Sequence, residues 1–200
     1  MMFYIRNPSA RWRGGDVPWV NRNNPSLELL KSAMKYIEDA TGNLIRFSEV
    51  HSTTSVKTYL VFCASEQNFA RVGRRPGENT IELKVDSINP KRAAVHEISH
   101  ALGIAHEHQS PNRDQFVKIN VDNIAVKADQ FATLLSGYVF EEPYDFESIS
   151  HYDPFAASRS SNLKTIEIVR PQDFHYYDVM GLKDTFSDSD IKAIKKMYSP

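Results

Sequence analysis

The chain has 200 residues, with 24 basic against 25 acidic side chains and a formal charge of −1. A balance so close to zero excludes the basic field of a nucleic-acid binder or a polybasic membrane anchor. A hydrophobic share of 41% suits an ordinary globular domain, no apolar run approaches the ~20 residues of a membrane span, and the length fits one compact domain, whole or split into two lobes by a cleft.

Taken in chain order, Met1 to Arg6 lacks the charged-then-apolar layout of a secretory signal. Asn24 and Pro25 supply an N-cap and a first helical residue, and Leu27, Leu30, Met34 and Ile37 recur at helical spacing until Gly42 stops the helix. Leu44 to Val50 and Thr58 to Cys63 read as strands rich in β-branched or aromatic residues. Cys63 is the single cysteine, so no intrachain disulfide is possible, and its place in an apolar run predicts a buried core thiol. Ile81, Leu83 and Val85 alternate with polar neighbours and predict a strand leading into a second helix, which begins near Pro90 or Lys91 and ends at Gly103. Beyond it come loops and short strands, then a late helix opened by the capping pair Ser187 and Asp190, with Ile191, Ile194 and Met197 or Tyr198 on one face. The pattern predicts an α+β fold, with a mixed sheet and two long helices before Gly103 and a mostly irregular second half ending in that helix.

Chemistry concentrates in one stretch, His96-Glu97-Ile98-Ser99-His100-Ala101-Leu102-Gly103-Ile104-Ala105-His106. Each helical residue turns 100°, so His96 and His100 project from one face and can share an ion with Zn–N bonds of about 2.0–2.1 Å. On a continued helix His106 would lie roughly 9 Å beyond His100 along the axis. The chain must therefore break and double back, and Gly103 tolerates the left-handed conformation that such a stop requires. Glu97 is placed to hold the water of the metal rather than the metal itself. The His-Glu-x-x-His core alone arises by chance in roughly 1 in 70 chains of this length, and the full pattern in roughly 1 in 50,000. Three histidines leave one position of a zinc ion open, the mark of a catalytic rather than a closed structural site. The residues thus predict a single catalytic Zn²⁺ whose bound water Glu97 deprotonates.

The neighbouring residues add a resemblance. HEISHALGIAHEHQSPNRDQFVKIN at 96–120, Trp12-Arg13-Gly14-Gly15-Asp16-Val17-Pro18-Trp19, Ser148-Ile149-Ser150-His151-Tyr152, and Met180-Gly181-Leu182 running on to Ile191–Ile194 and Tyr198 together resemble the astacin family of metzincin endopeptidases over about residues 11–198. The absence of that family's usual two disulfides makes the chain look like a bacterial member. The resemblance implies a two-lobed, zincin-like peptidase domain over 1–200, with an N-terminal lobe of about 11–103 and a C-terminal lobe of about 104–200. It implies a monomeric zinc endopeptidase that hydrolyses internal bonds of protein or peptide substrates, secreted or delivered into another cell. It also implies that Tyr152 ligates the resting zinc and then swings out to stabilise the transition state. About Phe69 to Arg74 would be the edge strand that takes up substrate, and Glu107 would fix a mature N-terminus near Phe3. His108 and His151 would be packing residues, with His51 and His175 on the surface. One departure stands out: the family methionine beneath the metal is Ser150, which predicts a looser, wetter or rebuilt floor. Two alternatives stay open, another metzincin of serralysin or snapalysin type, and a zinc-stabilised binding protein without turnover.

Overall fold

The computed structural model describes residues 2–24, 26–51, 56–126, 128–141 and 143–199. A five-stranded mixed sheet carries the first half of the chain. Strand β1 (Met2–Ile5) lies outside it, β2 is Asp16–Asn21, β3 Arg46–Glu49, β4 Thr58–Ser65, β5 Phe69–Ala70 and β6 Gly77–Lys84. The sheet order is β3-β2-β4-β6-β5; the first four strands are parallel to their neighbours, and β5 pairs antiparallel with β6 at the edge. Helices α1 (Leu27–Ala40) and α2 (Pro90–Leu102) pack against each other. The later half contributes short strands β7 (Val117–Ile119), β8 (Tyr138–Glu141) and β9 (Ile166–Ile168), several 3₁₀ turns and helix α3 (Asp188–Tyr198). The α+β architecture with two long helices, a mixed sheet and a late helix is the one expected.

Local chemistry explains most element boundaries. Helix α1 buries Leu30, Ala33, Met34 and Ile37, four residues on one face at helical spacing. Its start falls two residues after the expected cap: Ser26 precedes the first turn, and the Asn24 side chain instead accepts from the Ser26 N–H at 2.9 Å in a turn of its own. Pro25 lies outside the described residues. Strand β4 buries Tyr59 to Phe62 without alternation, as a parallel strand covered on both faces must. Cys63 follows them and is only half-buried, so it is not the core thiol expected; the pleat turns it away from the face that holds Phe62. Val85 falls just past β6 and is 52% exposed. In α3 the Ser187 hydroxyl accepts from the Asp190 N–H while the Asp190 carboxylate accepts from the Ser187 N–H, the reciprocal cap expected.

Strands β1, β2, β8 and β9 had no clear sequence pattern. β1 runs antiparallel to β8, and its other edge bonds the stretch just after α2, with Ile5 N to Gly103 O at 2.8 Å and Ala105 N to Phe3 O at 2.9 Å. The first residues of the chain are therefore clamped onto the turn that leads into His106. Trp12, nearly inaccessible, reaches the same place and donates its indole N–H to Ala101 O at 2.9 Å.

Two hydrophobic clusters form the interior. The larger joins α1, α2 and the sheet, and it also takes in Ile149, Phe186, Ala193, Ile194 and Met197 from the second half. The smaller gathers Phe116, Val117, Phe131, Tyr144, Phe146, Ile166 and Met180 around Phe3 and Ala105. Each half of the chain thus sends residues into the core of the other.

Gly103 is where these elements meet. Its φ is 111°, and a Cβ there would lie 2.7 Å from Ile5 Cγ2 and 3.1 Å from Met197 Sδ. Gly103→Ala should therefore lower stability by about 1–3 kcal/mol through left-handed strain and overpacking. Chemical denaturation of the metal-free protein checks this; an unchanged midpoint would mean that β1 and α3 do not press on the turn.

Candidate metal centre

Helix α2 is enclosed: Ala93 to Leu102 are all buried, histidines and glutamate included. His96 and His100 project from it one turn apart, and beyond the left-handed turn at Gly103 the chain brings His106 back to them. The three Nε2 atoms converge, at 3.0 Å for His96–His100, 3.1 Å for His100–His106 and 3.3 Å for His96–His106. Tetrahedral ligands with bonds of about 2.0–2.1 Å would sit about 3.3 Å apart. Among the described residues these three form the group of side chains able to hold a metal ion.

The far nitrogens decide what the near ones can do. His96 Nδ1 lies 2.7 Å from Ile149 O, His100 Nδ1 2.7 Å from Ile104 O, and His106 Nδ1 3.2 Å from Gln109 Oε1. Each acceptor requires a proton on Nδ1, so each Nε2 presents a lone pair to the common centre. Burial, the largest influence on all three, pushes His100 down to about 4 and His96 and His106 well below the usual imidazole range. Three neutral imidazoles with converging lone pairs suit a divalent cation, and all-nitrogen donors in this geometry suit zinc.

Glu97 lies on the same helix, 5% exposed, and lines a cleft cavity of about 520 Å³ together with His96, Arg92 and Tyr152. Burial pushes its carboxyl up to about 8, against the pull of the Ala70 N–H bond and of Arg92. A cation at the three nitrogens would favour the carboxylate. Ala70 belongs to edge strand β5, so the glutamate and the sheet edge are tied together. Of the expected substrate strand at Phe69 to Arg74, only Phe69 and Ala70 are paired; Gly73 and Arg74 donate to His100 O and Ala10 O instead.

Tyr152 is half-buried, with its ring 4.6 Å from that of His106 and stacked at 4.2 Å on His108. Its hydroxyl donates to Gln130 Oε1 at 3.0 Å. His108 is inaccessible, with Nε2 3.1 Å from Gln130 O, and His151 is held between Tyr144 Oη and Tyr152 O. His51 and His175 are exposed. Glu107 is 2% exposed and accepts from the Asp145 N–H at 3.1 Å; residue 1 lies outside the described residues. Arg74 bonds Ser9 O and Thr58 Oγ1 and lies over Trp12.

Ser150 is fully buried. Its hydroxyl lies 2.9 Å from Ser148 Oγ, and Ser148 donates to Asp190 Oδ1 at 2.7 Å. Asp190 also accepts from Ile149 N at 2.8 Å, and Ile149 carries the carbonyl that holds His96. A hydrogen-bonded network has rebuilt the floor. Sequence reasoning missed Gln109, Gln130 and Arg92, and read Asp190 only as a helix cap, not as the partner of Ser148 and Ile149. Gln109 carried a signal, since an amide three residues after a ligand can turn back on it; Gln130 and Arg92 carried none.

Comparison with known proteins settles the family. The model of the peptidase family "Astacin" matches residues 4–199. The chain belongs to the astacin family. Zinc metalloproteinase nas-14 of Caenorhabditis elegans is 31% identical over 97% of this chain and 38% of its own length. Zinc metalloproteinase nas-6 of the same nematode is 32% identical over 98% of this chain and 56% of its own. The chain thus spans about two fifths to just over half of these relatives. Among solved structures, the medaka hatching enzyme high choriolytic enzyme 1 of Oryzias latipes superposes with a TM-score of 0.83 at 24% identity, over 96% of each chain. Myroilysin gives 0.68 at 19% identity, over 99% of this chain and 98% of its own. These structures share the astacin fold with this chain. The bacterial affinity suggested by the missing disulfides draws no support from them.

The buried histidines set an acid limit for the metal-free protein. His151, for one, is held at about 4 by burial against 6.5 for an ordinary imidazole. The unfolded chain therefore binds more protons than the native one between pH 6.5 and 4. Stability is fully present above about 6.5 and is lost as pH falls through about 4. Each such histidine contributes a slope of about 1.4 kcal/mol per pH unit in that window. Urea titrations from pH 7 to 4.5 should show the decline, shallower by about one proton in His151→Gln; an equal slope in the variant would contradict the assignment.

Proposed function

We propose that this chain is a zinc-dependent endopeptidase acting on protein or peptide substrates, and that 1–200 forms one peptidase domain with its cleft between lobes of about 11–103 and 104–200. The observation that carries the reading is the convergence of three neutral imidazoles within 3.3 Å beside a buried carboxylate at the floor of an open cleft. His96, His100 and His106 hold the ion, with Tyr152 as a further ligand at rest. Bound zinc supplies a Lewis acid that polarises a peptide carbonyl and acidifies water. The chain's own groups supply the rest. Glu97, fixed by the Ala70 N–H, takes the proton of the attacking water and delivers it to the departing amine. Tyr152 leaves its resting place and donates its hydroxyl hydrogen to the oxyanion as charge develops there. Edge strand β5 receives the substrate as an added strand. A protease of this breadth endangers the cytoplasm that makes it, which supports secretion or delivery into another cell; among the described residues no helix is long and apolar enough to cross a membrane.

Glu97→Ala should retain one zinc per chain while kcat on casein falls by about a hundredfold to ten-thousandfold. Undiminished cleavage by a zinc-loaded variant would exclude Glu97 as the base. Tyr152→Phe should lower kcat and kcat/KM together, as expected for a contact made only in the transition state. A pure rise in KM would remove it from that role. Exhaustive chelation should abolish cleavage and stoichiometric zinc restore it; a chelator-resistant activity would point to different chemistry.

A further inference from the structure

A tyrosine hydroxyl has one hydrogen to donate. In this structure that hydrogen goes to the Gln130 side-chain carbonyl at 3.0 Å. The same hydrogen is the one Tyr152 offers to the oxyanion in the reading above, so the two bonds exclude each other. From this exclusion we infer that Gln130 is a latch, a positioning residue that holds Tyr152 in its resting orientation and must release it in every turnover. The inference rests on the role proposed for Tyr152.

The placement of Gln130 is over-determined, as a latch requires. Its backbone carbonyl bonds His108 Nε2 at 3.1 Å, and the His108 ring is the one on which Tyr152 stacks. One residue on, the Phe131 carbonyl accepts from Arg113, whose guanidinium also bonds His108 O. Two residues on, Ala132 O accepts from Gln109 Nε2 at 3.2 Å, and the Oε1 of that same amide holds His106 Nδ1. The turn at Ala128–Phe131 is thus fastened to the segment that carries the third metal ligand. Ring stacking fixes the plane of Tyr152, and Gln130 fixes where its hydrogen points. All three backbone anchors survive any change of the Gln130 side chain.

Removing the acceptor destabilises the resting state and leaves the transition state untouched, so turnover should rise. A residue needed only for structure would lower it instead. Gln130→Met keeps the length and removes the acceptor; Gln130→Ala serves as a second variant if the first folds poorly. With zinc bound, Gln130→Met should raise kcat about fivefold, the equivalent of one ordinary intramolecular hydrogen bond. In the Tyr152→Phe background the same change should leave kcat unmoved. In the metal-free protein labelled at tyrosine Cζ, the resonance that vanishes in Tyr152→Phe should shift in Gln130→Met while the other tyrosines stay in place. A fall in kcat, an equal rise in both backgrounds, or an unmoved Tyr152 resonance would each overturn the latch. Should Tyr152→Phe itself leave kcat unchanged, the role of Tyr152 fails first and the latch falls with it.

Discussion

Three lone pairs set 3.0–3.3 Å apart repel one another unless a cation lies between them, and each imidazole would turn away if its far nitrogen were free. None is free. Ile149 O, Ile104 O and Gln109 Oε1 hold the three Nδ1 protons, so the repulsion is built in and kept ready for a metal. The acceptors come from the floor segment, the turn after Gly103 and the 3₁₀ turn after His106. Distant parts of the chain must be in place before the nitrogens converge.

This requirement explains why the two cores interleave. β1 bonds Gly103 and Ala105 and holds the turn between His100 and His106. Helix α3 sends Ala193, Ile194 and Met197 into the core beneath α2, and its cap residue Asp190 grips the Ile149 N–H. β1 and α3 thus brace the three histidines from two sides. The Ser150 hydroxyl extends the Asp190 network, so a polar floor is tolerated because its donors and acceptors are paired.

The proposed catalytic and supporting roles also share elements. Glu97 lies next to His96 on α2 and accepts from the Ala70 N–H of edge strand β5, so a shift of that strand is felt at the carboxylate. Arg92, one turn before His96, lines the same cleft with its Nε buried and without a partner among the described residues, and it bonds His151 O beside Tyr152. A binding protein without turnover has little use for a buried carboxylate lining the cleft beside His96. Membership of the astacin family, together with this glutamate, favours the peptidase over both alternatives.

What the sequence determined was local. The four-residue spacing of His96 and His100, the place of Glu97, the turn at Gly103, the face of α1 and the cap of α3 all follow from 100° per residue and from the needs of helix ends. The strands richest in β-branched and aromatic residues were legible for the same reason, although their ends moved by a few residues. Tertiary structure alone decided the rest. β1 pairs with β8 from Met2 opposite Glu141 to Ile5 opposite Tyr138, across about two thirds of the chain, and neither segment has a pattern that requires it. His96 meets Ile149 across 53 residues, Ser148 meets Asp190 across 42, and Tyr152 meets Gln130 across 22. Such partners are selected by the burial of a polar atom that must be satisfied wherever the fold happens to place an acceptor. A periodicity of 3.6 or 2 holds no information about that choice.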